Sequence, residues 1–198
     1  MKVIGLCGGS GSGKGLVASA FRDNGFFHID ADCVYHDLTS GKTECTDELV
    51  ARFGDGILTP TGALDRKKLR EIVFHGEGSA DRLADLNRIS HKHVLRAIRS
   101  RISDLSEESF VGVVVDAPLL FESGFDAECH KIVCVVADRD IRIARIIFRD
   151  GIKEEDAIAR INSQLPDSRL IELSDYVIVN NGESDEVFSQ VAEIIKVL

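Results

Sequence analysis

The chain has 198 residues, 44% of them hydrophobic and 29% charged, the profile of one globular domain with room for an inserted lobe. Its 33 acidic residues outnumber its 24 basic ones, and a formal net charge of −9 argues against a broad nucleic-acid-binding face. The five cysteines (Cys7, Cys33, Cys45, Cys129, Cys134) are odd in number and show no C-x-x-C spacing, so reduced thiols in a cytoplasmic protein are expected rather than disulfides or zinc. No apolar run has the length of a membrane span, and Val3–Cys7 is too short for a signal-peptide core.

In chain order, Lys2–Cys7 is an apolar run ending in glycines and reads as a buried strand. Leu16, Val17, Ala20 and Phe21 follow at helical spacing, with Gly25 as a stop. Phe26–Ile29 is a second strand candidate, closed by Asp30-Ala31-Asp32. Residues 33–109 read as a helical insert without strands: Leu64, Leu69, Ile72, Val73 and Phe74 suggest one helix, and Leu83 through Ile98 a longer one. Strand candidates return at Phe110–Val115, Ile132–Ala137 and Tyr176–Val179. Residues 139–173 between the last two are helical and arginine-rich, and Val187 through Leu198 form the stripe of a closing helix. Continuous rather than alternating apolar runs suit a parallel sheet covered on both faces, so the fold class is α/β. Ligands in such sheets gather at the carboxyl ends of the strands, where the glycines, Asp32 and Asp116 all fall.

Gly8-Gly9-Ser10-Gly11-Ser12-Gly13-Lys14 fits G-x-x-x-x-G-K, placed after a strand and before a helix. Successive N–H groups in such a loop make a concave anion nest, the helix N-terminus adds partial positive charge, and Lys14 would bridge the β- and γ-phosphates of a nucleotide. The pattern normally ends in Ser or Thr, whose hydroxyl binds Mg²⁺; here Gly15 and Leu16 follow instead. Asp30 and Asp32 are candidate bases for an attacking hydroxyl, or a helix cap. Asp116 ends the run Val113–Val115 in the manner of a Mg²⁺-linked strand-end acid, or simply terminates a strand; Glu122 is a second candidate. Arg142, Arg145 and Arg149 recur at helical spacing, with Arg139, Arg160 and Arg169 in the same segment. They read either as a solvated, salt-bridged helix or as a lid whose guanidiniums close over phosphates. His91-Lys92-His93 has no metal-ligand spacing, so a surface or substrate contact is expected there.

Taken together, these segments resemble the dephospho-coenzyme A kinase family over nearly the whole chain. The glycine loop, Ile29-Asp30-Ala31-Asp32, Gly62 through Leu69, Leu86-Asn87-Arg88-Ile89-Ser90-His91, Pro118 through Gly124, Arg145 with Arg149-Asp150-Gly151, Arg160-Ile161 with Gln164, and Asp175-Tyr176-Val177-Ile178 with Asn180-Asn181-Gly182 all match in order. Gly15 in place of Ser, and Lys92 where many members carry Pro, are departures. The resemblance implies a three-layer P-loop NTPase fold with a five-stranded parallel sheet, a helical substrate-binding insert at 33–109 and a lid at 139–173. It implies transfer of phosphate from ATP to dephospho-coenzyme A, with Mg²⁺, in a monomer that has no nucleic-acid or membrane partner. By the same resemblance Asp32 is the base, and Lys14, Arg145 and Arg149 act on the phosphates. The resemblance further gives Gly8 through Leu16 and Asn180 to ATP, and Asp32, His91, Pro118, Leu119, Leu120 and Arg160 to the acceptor, with Asp116 toward the metal. Three other readings stay open: another small-molecule kinase, a GTPase switch (against which the lack of an N-K-x-D segment weighs), and a nucleotide binder without turnover.

Overall fold

In the computed structural model, which describes residues 1–105 and 109–198, the chain divides into two compact units, Met1–Asp30 with Leu105–Leu198, and Ala31–Asp104. The first holds a sheet of β1 (Lys2–Cys7), β2 (Phe26–Asp30), β3 (Gly112–Asp116), β4 (Lys131–Val136) and β5 (Tyr176–Val179), in the order β2-β3-β1-β4-β5. Every pairing is parallel, with Leu6 and Asp30 both in register with Asp116, so three strands end at one level. β1, β3 and β4 are interior strands, and their apolar runs are buried nearly throughout because both faces are covered.

One face is closed by α1 (Lys14–Asp23) and α9 (Ser184–Val197) around Ile4, Leu6, Val17, Phe21, Val135 and Val191. Burying each such side chain stabilises the fold by roughly 1.5–3 kcal/mol. The segment after β4 forms α6 (Arg139–Asp150), α7 (Glu154–Asn162) and α8 (Asp167–Glu172), with α6 and α7 sharing a small core of Ile143, Ile146, Ala157 and Ile161. Two strand expectations shift. The third strand begins at Gly112 rather than Phe110, since Val111 is 57% exposed and its N–H goes to the carbonyl of Gly25. β5, though apolar, lies at the sheet edge, leaving Val177 and Val179 part-exposed. There the Gln190 amide of α9 accepts from the Val179 N–H and donates to the Val179 carbonyl, each at 2.9 Å.

The second unit is helical: α2 (Ala31–Thr39), α3 (Glu44–Phe53), α4 (Arg66–Phe74) and α5 (Ser79–Ser103) enclose Leu49, Ile57, Leu69, Val73 and Ile89. α3 starts on a capping box built from two threonines: Thr43 Oγ1 accepts from Thr46 N and Thr46 Oγ1 from Thr43 N. Asp65 caps α4 by accepting from the N–H groups of Lys67 and Lys68 at 3.1 Å. The unit runs 31–104 where the sequence suggested 33–109. Helix α2 follows β2 with no loop, so Asp32 belongs to the helical unit, and positions 106–108 of the expected range lie outside the described residues.

Candidate active site

The loop between β1 and α1 takes its shape from glycines that other segments press against. Gly13 caps α1 at φ 92°, a left-handed conformation, and a Cβ there would lie 2.0 Å from Asn180 Nδ2. Asn180, 2% exposed just past β5, donates from Nδ2 to the Ser12 carbonyl at 2.8 Å, and its own N–H reaches the Val136 carbonyl. Gly13→Ala should therefore both strain the backbone and push Asn180 off the loop. The expected outcome is a rise in KM for ATP of about 10-fold or more, with a lowered melting temperature. Steady-state kinetics beside a thermal melt checks it, and an unchanged KM would show that the loop tolerates the displacement.

Lys14 folds back over this loop. Its Nζ donates to the Gly8 carbonyl at 3.0 Å and stands 4.0 Å from Asp116 Oδ1, at the end of β3. Ser12 is 1% exposed, and its buried Oγ has no hydrogen-bond partner among the described residues. A curled backbone, a buried hydroxyl and an ammonium together fit a polyphosphate. Gly15 faces open space, so packing does not forbid a Ser at that position. Among the described residues no group of three or more His, Cys, Asp or Glu side chains is placed to hold a metal by itself. Mg²⁺ can be carried mainly on phosphates and a single carboxylate, and the carboxylate beside the Lys14 ammonium is Asp116.

The arginines separate into two sets. Arg145 donates from Nη1 to the Asn180 carbonyl at 3.0 Å and from Nη2 to Asn180 Oδ1 at 3.3 Å, and it reaches the carbonyls of Gly11 and Ser12 at 3.4 and 3.5 Å. Arg142 is 4% exposed and also touches the loop, through the Ser10 carbonyl. Arg149 instead forks onto Asp150 at 2.7 and 2.9 Å, and Arg160 pairs with the same carboxylate. Those two guanidiniums hold the Asp150 carboxyl well below the usual carboxylate range, Arg149 more strongly. Arg149 thus lies on the Arg142 side of α6 but beyond the loop, in the ion-paired arrangement that the sequence left open.

Pro118 and Leu119 line a 340 Å³ cavity with Gly8, Gly9, Glu122, Gln164 and Leu170. Leu120, given to the acceptor by the resemblance, is fully buried, and one of its methyls would lie 2.9 Å from a Cβ on Gly5, so its side chain packs against β1. Leu16 packs partly buried against the sheet core. Asp32 stands in the first turn of α2 and His91 within α5, both in the helical unit. Spacing gave no sign of the roles of Arg142, Gln164 and Asp167 on the loop, because their partners lie far away in sequence.

The dephospho-CoA kinase family model matches residues 2–186. A dephospho-CoA kinase from Fusobacterium nucleatum is 40% identical over 190 residues, covering 96% of this chain and 94% of that one. A crystal structure from Thermus thermophilus superposes with a TM-score of 0.84 at 28% identity, covering 99% of this chain and 96% of the other. A dephospho-CoA kinase structure from Campylobacter jejuni has a TM-score of 0.69 at 24% identity, covering 99% and 96%, a likeness of fold.

Proposed function

The chain belongs to the dephospho-CoA kinase family, and from that premise we propose how its own residues divide the work. The reaction moves the γ-phosphate of ATP to the ribose 3′-hydroxyl of dephospho-coenzyme A, giving coenzyme A and ADP, the last step of coenzyme A biosynthesis. The observation that carries the assignment of the loop is Lys14 Nζ, 3.0 Å from the Gly8 carbonyl at the mouth of a glycine cradle. Lys14 swings from that carbonyl to the β- and γ-phosphates, and the loop N–H groups bind the remaining oxygens.

Arg145 steadies Asn180 and the loop carbonyls, and turns guanidinium charge toward the transferring group. Arg149 joins it when the segment 139–173 closes as a lid, exchanging Asp150 for phosphate. Asp32 takes the proton of the attacking hydroxyl and aims it. Pro118, Leu119 and Arg160 are acceptor contacts in the sheet unit, and His91 is an acceptor contact in the helical unit. Asp116 would hold Mg²⁺ together with the phosphates, and the ion would supply charge neutralisation at the phosphate oxygens. The protein works as a monomer in the cytoplasm. Its five free cysteines suit a reducing compartment, and among the described residues no helix is long and apolar enough to cross a membrane.

The test is ADP release with ATP and a panel of acceptors: dephospho-coenzyme A, shikimate and nucleoside monophosphates. ADP should appear with dephospho-coenzyme A, and the product should carry phosphate at the 3′ position. Turnover confined to another acceptor would overturn the reading.

A further inference from the structure

Both polar backbone groups of Ser10, at the crest of the glycine loop, are held by side chains from the segment after β4. Its N–H donates to Gln164 Oε1 at 2.8 Å. Its carbonyl accepts from Arg142 Nε at 2.9 Å. Arg142 is fixed in turn: its Nη1 donates to both oxygens of Asp167, at 2.7 and 2.8 Å, with 5% of the arginine side chain exposed. The guanidinium also crowds the loop, since a Cβ on Gly9 would come within 2.1 Å of Nη2. The α6 backbone crowds the next residue, because a Cβ on Gly11 would meet the Arg142 carbonyl at 2.6 Å.

We propose that Arg142, locked by Asp167 and assisted by Gln164, is a positioning residue that fixes the peptide orientations at the crest of the phosphate loop. Glycines flank Ser10 on both sides, so its two peptide planes can rotate at little steric cost. In a trans peptide the C=O and N–H point in opposite directions. Holding the Ser10 carbonyl on Arg142 therefore turns the Gly11 N–H away from Arg142, and holding the Ser10 N–H on Gln164 turns the Gly9 carbonyl to the other side, where it accepts from the Ser12 N–H at 3.1 Å. A flip of the Ser10–Gly11 plane would present a carbonyl dipole where the Gly11 N–H had stood, and a carbonyl repels a polyphosphate. The Asp167 carboxylate offsets the Arg142 charge, so the pair acts through geometry and not by attracting phosphate.

This inference rests on reading Gly8–Lys14 as the ATP-phosphate loop, and Lys14→Ala tests that reading separately in the same assay. Arg142→Met keeps the apolar stem and removes the clamp. KM for ATP should rise about 10-fold and kcat should fall, while KM for dephospho-coenzyme A holds. Asp167→Asn separates geometry from charge. Positioning predicts a rise in KM for ATP of about 3-fold, whereas an electrostatic role for Arg142 predicts a fall, because a negative charge has been removed. Lys196→Met is the control: that side chain pairs with Glu193 on α9, and the variant should match the parent. If Arg142→Met does not fold, Asp167→Asn decides alone. The proposal is overturned by an unchanged or lowered KM for ATP in Asp167→Asn, by Arg142→Met kinetics within 2-fold of the parent, or by an equal loss in Lys196→Met. Loss in Lys14→Ala beside normal Arg142→Met and Asp167→Asn would remove the clamp and leave the loop assignment standing.

Discussion

Lys14→Ala is expected to lower turnover by about 10²-fold or more, with the largest effect on the ATP side of the kinetics. The ammonium rests on the Gly8 carbonyl and near Asp116, so the fold gives it a defined position before any phosphate arrives. Its exchange of those partners for the β- and γ-oxygens puts a point charge where negative charge builds in the transition state. The side chain is only about 15% exposed and donates to the Gly8 carbonyl, so truncation also removes packing and a hydrogen bond, and a thermal melt must show that the variant is folded before the rate is read. Single-turnover kinetics beside a nucleotide titration would separate chemistry from binding. Turnover close to the parent value, with a folded variant, would mean that Lys14 serves the loop structurally and that catalysis draws its charge from the arginines.

Asp32→Asn is the second large effect expected, a fall in kcat of roughly 10²- to 10⁴-fold with ATP affinity nearly intact. The amide keeps the shape of the carboxylate and loses the ability to accept a proton. The hydroxyl must shed that proton as the new phosphate ester forms, and phosphoryl transfer otherwise asks mainly for alignment. Asp30 supplies the internal control. It is the last residue of β2, paired in register with Asp116, whereas Asp32 already lies in the first turn of α2. Asp30→Asn should cost less. If Asp30→Asn proves the more damaging variant, the base is the strand residue and the helix residue is a neighbour.

The sheet was legible because its interior strands are buried on both faces, which writes them into the sequence as unbroken apolar runs such as Val113-Val114-Val115. The glycine loop was legible for a similar reason: its spacing is imposed by one local geometry. What could not be read depended on contacts distant along the chain. Arg142 reads equally as a salt-bridged helix charge or a lid guanidinium, and Asp167 gives no signal, until α6 and α8 bring them together at Ser10. Arg149 shares the helical spacing of Arg142, yet one further stretch of helix carries it past the loop to Asp150. Capping by two threonines at α3 hid its start, since the usual acidic partner is missing. Leu120 shows the limit of matching by segment: it sits in a run with Pro118 and Leu119, but the turn there drives it into the sheet core.

Gln190 at the end of β5 does for the sheet what a sixth strand would do. Its amide carries the same donor and acceptor as a peptide bond, and it offers both to Val179. A bare sheet margin is a template on which another polypeptide can zip, and Val177 and Val179 would supply such a visitor with apolar grip. With one rung already answered from within the molecule, a second chain must first displace an intramolecular partner. At this rung, resistance to strand addition comes from one side chain in the last helix, where an exchange to Leu would keep the helix and give the rung away.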